Sequence, residues 1–269
     1  MSRPRALITG AGSGLCRALA HRYARAGYDI AVAELLTERA KTVVDELAAH
    51  GGSHFAVEVD VGDDASVEAM RDTVRAHWDG FDVLINNAGV ASAGSIADSS
   101  LDDWRWVTNI DLFGVVRGMK AFAPMFQTQR RGHVLSTASF AGIAGAPGIA
   151  SYGVAKAGVV ALSEALRGEM ALFDVKVSVI CPIFFKTNLL ETARSPNAKF
   201  IGVAAKLMDN AKESADDIAD YVFKAQQRGD FMIIPTTTER IRWRVKRWFP
   251  ELYFRELMKL ARKTMARSG

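Results

Sequence analysis

Short apolar runs alternate along this chain with longer segments in which apolar side chains recur at helical spacing. The runs at 5–9, 29–34, 54–59, 82–86, 133–138, 175–180 and 231–234 read as strands. The amphipathic stretches near 15–26, 37–50, 64–78, 101–128, 152–173 and 215–228 read as helices. Strands that are apolar on both faces and separated by helices predict an α/β fold: a doubly wound parallel sheet of seven strands with helices on both faces. In such a sheet ligands bind at the carboxyl ends of the strands. The longest break in the alternation, 183–214, is expected to be a substrate lid rather than idle loop. Residues 1–238 thus form one domain, followed by a helical tail at 239–269.

Composition agrees with one large core, since 49% of the 269 residues are hydrophobic and there are 22 Gly against 7 Pro. Cys16 and Cys181 have no partner at metal-ligand or redox spacing, and the five histidines are scattered. No metal site and no disulfide are expected, which suits a reducing compartment. The first strand starts so near the N-terminus that no signal peptide is expected, and no apolar run approaches the ~20 residues that span a bilayer. A cytoplasmic chain is predicted, at most peripheral to a membrane.

The net charge of +4 is unevenly spread. Residues 239–269 carry ten Lys/Arg against Glu239, Glu251 and Glu256, so the tail is +7 and the body −3. Within it Ile241, Val245 and Trp248, then Phe254, Leu257, Met258, Ala261 and Met265, recur at helical spacing. Such a basic amphipathic pair suits an anionic membrane surface. It equally suits packing over the substrate cleft or a partner subunit. No nucleic-acid-binding module accompanies the charge, so nucleic acid is not an expected partner.

Candidate chemistry begins with Tyr152 and Lys156, which a spacing of four puts on one helix face. A phenol is a weak acid, and an adjacent ammonium is expected to pull it toward the working range. Chance alone produces this spacing on many solvated helices, so its weight comes from its neighbours. The turn Gly10-Ala-Gly12-Ser13-Gly14-Leu15 follows a strand and opens a helix, where backbone N–H groups can meet a pyrophosphate in a Rossmann-type site. It departs from Gly-x-Gly-x-x-Gly at Leu15. Glu34 ends the second strand, 24 residues past Gly10, where a carboxylate accepts from ribose hydroxyls and repels a 2′-phosphate. NAD is therefore expected over NADP, with an ordinary surface role for Glu34, or a swing of Arg39 toward the phosphate, as the alternatives. Asp60 is placed to meet adenine or to cap the next helix.

With Asn86-Asn-Ala-Gly89, Asn109, Ser139 and Pro182 to Thr187 added, the chain resembles the short-chain dehydrogenase/reductase family from about residue 5 to 235. The resemblance implies NAD(P)(H)-dependent hydride transfer between an alcohol and a carbonyl. It implies a cofactor lined by Gly10, Gly12, Ser13, Gly14, Leu15, Glu34, Asp60, Val61, Asn87, Ala88, Gly89, Pro182 and Thr187. Ser139 would bind the substrate oxygen, Tyr152 would be the acid–base, and Lys156 would hold the nicotinamide ribose. Asn109 would anchor a water relay to Lys156, although alone it also reads as a helix-kink residue; Ser136 and Thr137 compete with Ser139. A homodimer or homotetramer is implied. Two departures stand out: Cys16 and Ile183 occupy positions where the family usually has glycine.

The apolar lid, with Phe184, Phe185, Leu189, Leu190, Phe200, Ile201, Val203, Leu207 and Met208, points to a lipophilic substrate or to plain packing on the body. The alternatives to an NAD-linked enzyme are an NADPH-dependent reductase of fatty aldehydes or acyl-CoA thioesters, and a non-catalytic dinucleotide sensor or membrane-surface binding protein.

Overall fold

The computed structural model describes residues 3–266, and the side chains of all of these except 198, 199 and 263–266. Arg267 and the side chains of the basic Lys263 and of Met265, the last residue of the predicted tail stripe, therefore lie outside the described residues.

Seven parallel strands form one sheet in the order β3-β2-β1-β4-β5-β6-β7. They are β1 (Arg5–Thr9), β2 (Asp29–Glu34), β3 (Phe55–Glu58), β4 (Val83–Asn86), β5 (Gly132–Thr137), β6 (Val175–Ile180) and β7 (Met232–Ile233). The helices are α1 (Gly14–Arg25), α2 (Thr37–Leu47), α3 (Asp64–His77), α4 (Leu101–Thr108), α5 (Gly114–Gln129), α6 (Ala141–Ala144), α7 (Ala150–Ala171), α8 (Ala198–Asp209), α9 (Ala215–Arg228), α10 (Thr237–Trp248) and α11 (Pro250–Ala266). The doubly wound sheet is as the periodicity predicts.

Successive strand residues point to opposite faces, and both faces are apolar, so the sheet is buried on both sides. Ala6, Ile8, Ile30, Val32, Ile85 and Leu135 face a core closed by Leu19 and Tyr23 of α1 and Ile218 and Val222 of α9. Leu7, Ala31, Val57, Leu84, Val134 and Val177 face the opposite core, closed by Met70 of α3, Phe122 and Phe126 of α5 and Leu166 of α7. The strand order reverses between β1 and β4, which pair through Leu7 and Leu84. The crevice beyond their carboxyl ends is the expected ligand position, and Gly10–Gly14 and Asn86–Gly89 lie there.

Two stretches depart from the sequence expectation. The single helix predicted at 101–128 is α4 and α5 joined by a π-helical turn, Asn109–Phe113. The predicted irregular segment 183–214 contains a 3-10 turn at Asn188–Leu190 and the helix α8. Among the described residues, no helix is long and apolar enough to cross a membrane.

Candidate active site

Helix α7 begins under the loop that follows β4. Ser151 in its first turn meets Ser92, hydroxyl to hydroxyl at 2.5 Å, and Gly94 bridges Ile149. These contacts fix the axial position of Tyr152 and Lys156 one turn along. The Lys156 Nζ lies 5.7 Å from the centre of the Tyr152 ring and donates to the Thr137 carbonyl at 3.1 Å. The Ser139 hydroxyl lies beside the Tyr152 phenol, where it favours the ionised form, and accepts from the Ala141 N–H at 3.1 Å. Ser136 and Thr137 are buried in β5, so of the three candidate hydroxyls Ser139 is the one beside the phenol.

Asn109 is not at Lys156. Its side chain donates to the Gly62 carbonyl at 3.0 Å and accepts from Arg117 at 2.8 Å. It lines an open surface groove with Trp104, Arg105, Thr108 and Phe113. The side chain that reaches Lys156 from this segment is Asp111, fully buried, with Oδ2 3.3 Å from Nζ. Its Oδ1 accepts from the Val90 N–H at 2.8 Å. The physical reason is the π-helical turn: its wider loop and extra residue change which side chain faces inward. The signal in the sequence was the carboxylate itself, set between the apolar Ile110 and Leu112.

The electrostatics also depart from expectation. Burial pushes the Tyr152 phenol above its ordinary value; Lys156 opposes this and Asp111 adds to it. The ammonium acts in the direction expected, but removal from water outweighs it. Burial works against the charge on Lys156, yet Asp111 and then Tyr152 together hold it above its ordinary value. Burial likewise lifts the Asp111 carboxyl, against Lys156 and the Val90 N–H. Lys156 therefore stands as an ammonium in a nearly dry environment.

The dinucleotide end is built by close backbone approach. Gly10 and Gly14 have φ of +71° and +52°, a region L side chains rarely adopt. A Cβ on Gly10 would lie 2.9 Å from the Ala88 Cα, and one on Gly14 would lie 2.6 Å from the Thr187 Oγ1. The turn thus lies in contact distance of both the Asn87–Gly89 segment and Thr187. Thr9 joins the first two, its Oγ1 accepting from the N–H groups of Asn87 and Ala88 at 3.0 and 3.2 Å. Ser13 and Leu15 open α1, whose first turn carries no acid and whose N-terminus has no side-chain cap. Its N–H groups are left for an anion. These features fit a dinucleotide pyrophosphate.

Glu34 is held at the edge of this turn by three backbone donors: Gly12 at 2.9 Å, Leu35 at 3.0 Å and Leu36 at 3.4 Å. Arg39, which might have met a 2′-phosphate, bonds instead to Glu191 of the lid at 3.0 Å. The Asp60 carboxylate accepts from the Gly62 N–H at 2.7 Å, and the cap of α3 is Asp63. Val61 is buried against Gly114. Cys16, one of the two departures from the family's glycines, lies in α1. It is fully buried in the core beneath. Pro182 is buried, its carbonyl accepting from the Phe140 N–H at 2.8 Å, while Ile183 is half-buried against the core.

Of the lid residues, Phe185 and Met208 are buried and Leu207 is exposed. Phe184, Leu189, Leu190, Phe200, Ile201 and Val203 are half-buried. The lid is tied to the body where Arg194 pairs with Ser92. In the tail, the α10 residue Trp243 packs on the core and Lys246 donates to the Ile143 carbonyl of α6. Leu257, Met258 and Ala261 are half-buried, whereas Ile241, Trp248 and Phe254 are exposed.

The family model described as short chain dehydrogenase matches residues 4–198. The chain is 38% identical over 185 residues to the meso-2,3-butanediol dehydrogenase of Serratia marcescens, covering 68% of this chain and 72% of that one. It is 33% identical over 186 residues to the Mycobacterium tuberculosis protein named Probable oxidoreductase EphD; this covers 69% of the chain but spans only 31% of that relative. A short-chain dehydrogenase/reductase from Burkholderia phymatum, solved in complex with NAD, superposes with a TM-score of 0.86 at 30% identity, over 93% of this chain and 95% of that one.

Proposed function

This chain belongs to the short-chain dehydrogenase/reductase family, and from that premise we propose that Tyr152, Lys156 and Ser139 manage the proton in hydride transfer to or from a lipophilic carbonyl or carbinol, with NAD(H) as cofactor. It is an oxidoreductase of alcohol and carbonyl groups that uses a nicotinamide dinucleotide. The dinucleotide, when bound, supplies the hydride for reduction or receives it in oxidation.

The observation that carries the assignment is the meeting of one phenol, one buried ammonium and one hydroxyl at the carboxyl end of the sheet. Ser139 holds the substrate oxygen beside Tyr152, which gives or takes the proton at its hydroxyl. Lys156 has one N–H committed to the Thr137 carbonyl and its charge paired with Asp111, which leaves N–H capacity for a ribose hydroxyl. Tyr152→Phe is expected to bind the cofactor as the native protein does and to lose at least about a thousandfold in kcat, in the range of a lost general acid–base. Near-native turnover would overturn the assignment.

NAD is favoured because the Glu34 carboxylate is fixed by three N–H donors and Arg39 is engaged by Glu191. A 2′-phosphate beside it would meet an uncompensated negative charge. The half-buried lid side chains support a lipophilic substrate; a panel in which small polar alcohols outperform long-chain ones would exclude it. Family members are commonly oligomers. Exposed Leu101, Phe113 and Val154 on α4, the π-turn and α7 support a homodimer or homotetramer through those helices, and sedimentation as a monomer alone would contradict it. The tail we read as packing on the body, because Trp243 and Lys246 dock there. Binding to anionic vesicles that disappears on deleting 239–269 would show a membrane role instead.

A further inference from the structure

The reading above leaves Asp111 without a task. Among the described residues it is the carboxylate with no exposed surface at all. A bare buried charge of this kind is strongly unfavourable, so it must be compensated. Compensation comes from two sides: the Val90 N–H on Oδ1 and the Lys156 ammonium near Oδ2. The Lys156 contact is too poorly aligned to count as a hydrogen bond to Oδ2, so the pairing is chiefly one of charge. The space is tight, since a Cβ on Gly89 would lie 3.0 Å from the Asp111 Oδ1 and 3.3 Å from Nζ.

The surroundings are few. Tyr152 is faced by Lys156 on α7, Asp111 on the π-turn, the Ser139 hydroxyl after β5 and the Cys181 thiol after β6. Lys156 also faces Cys181, and lies within electrostatic reach of Cys16 on α1, which Glu34 approaches from β2. Both thiols are held well above their ordinary values by burial, so neither contributes a charge near neutrality. The balance is therefore between one ammonium, one carboxylate and one phenol.

We propose that Asp111 is a positioning residue that keeps the Tyr152–Lys156 pair fully protonated at neutral pH, so that the site is set to give a proton to a carbonyl oxygen and takes one from a carbinol only under alkaline conditions. It rests on Tyr152 being the proton donor, as read above. The argument does not depend on which member of the pair releases the first proton, because the two titrate together. With Asp111 ionised, that release takes the cluster from neutral to negative; without it, from positive to neutral. A neighbouring negative charge makes either release harder, typically by about 1–3 pH units for a close buried group. In the reductive direction the carbonyl carbon gains the hydride, its oxygen gains the Tyr152 proton, and solvent restores that proton. One carbonyl, one hydride and one proton thus give one carbinol.

Asp111→Asn tests this, because the amide oxygen can still accept from Val90 while the charge is gone. kcat/KM would be followed against pH in both directions, with an alcohol and carbonyl pair that the native enzyme turns over. Tyrosinate absorbance of the free protein would be titrated beside it, with Tyr152→Phe subtracted. The expected result is a downward move of the oxidation midpoint by at least about one pH unit, which raises oxidation at pH 7 about tenfold relative to its plateau. The tyrosinate step should move the same way and cofactor affinity should stay as it was. A midpoint that stays or rises, or turnover lost at every pH with the tyrosinate step unmoved, overturns the proposal. If that variant does not fold, Asp111→Ser takes its place with the same two readouts: a downward move of the oxidation midpoint and of the tyrosinate step supports the role, and an unmoved pair sinks it. An inactive Tyr152→Phe together with an unmoved Asp111→Asn midpoint removes this inference and leaves the acid–base assignment standing.

Discussion

Acidification from pH 7 to pH 5 should cost this protein about 2 kcal/mol through one side chain, His133. The ring lies in β5 and is buried. Its Nε2 is 2.7 Å from the Ser178 hydroxyl, whose own hydrogen goes to the Asp230 carbonyl at 2.6 Å, so Nε2 must donate. Its Nδ1 faces the Gln226 amide nitrogen at 3.2 Å and must accept. That amide cannot turn over cheaply, because its oxygen already accepts from Gln227 at 2.7 Å. The network therefore specifies a neutral imidazole, and a proton on Nδ1 would set N–H against N–H. Burial, helped by the charge on Lys176, brings the ring from the ordinary 6.5 down to about 4. Between those values the unfolded chain binds the proton more readily than the folded one. The stabilisation is thus complete above about pH 6.5 and is lost as the pH falls toward 4, by about 3 kcal/mol in all.

Urea unfolding of the native protein and of His133→Asn at the two pH values isolates the ring, since every other titrating group is common to both. The variant should be the less stable at pH 7, with the Ser178 hydroxyl short of a donor. Its further loss on going to pH 5 should be about 2 kcal/mol smaller than that of the native protein. Equal losses in the two proteins would refute the reasoning.

Two more outcomes follow from single contacts. Thr9→Val keeps the shape but strips the N–H groups of Asn87 and Ala88 of their acceptor, so a loss of about 2 kcal/mol is expected by denaturant unfolding; Thr9→Ser should recover most of it. Glu34→Gln removes the charge at the adenosine end while keeping an acceptor for Gly12. The ratio of NADP to NAD affinity should rise at least about tenfold by fluorescence titration, and an unchanged ratio would show that the carboxylate does not discriminate.

Much of the site was legible in the chain because its parts are local. Strands that are apolar on both faces announce a sheet covered on both sides, and a glycine turn after the first of them announces a backbone that must pass close to something. Tyr152 and Lys156 share a face by spacing alone. These properties depend on backbone periodicity over a few residues, which neighbouring side chains determine.

What the tertiary structure decided is of another kind. Helical periodicity cannot reveal that 101–128 is interrupted by a π-helical turn, and the resemblance implied Asn109 at Lys156 where folding brings Asp111. Nor could it reveal that Arg39 is engaged by Glu191, or that Lys246 of the tail reaches back to α6 beside Ser139. The ionisation of Tyr152 is the clearest case. Its direction is a sum over α7, the π-turn and the loops after β5 and β6, elements far apart in sequence. Short-range pattern sets which groups are available, but charge and burial act through space, and only the folded chain sets those distances.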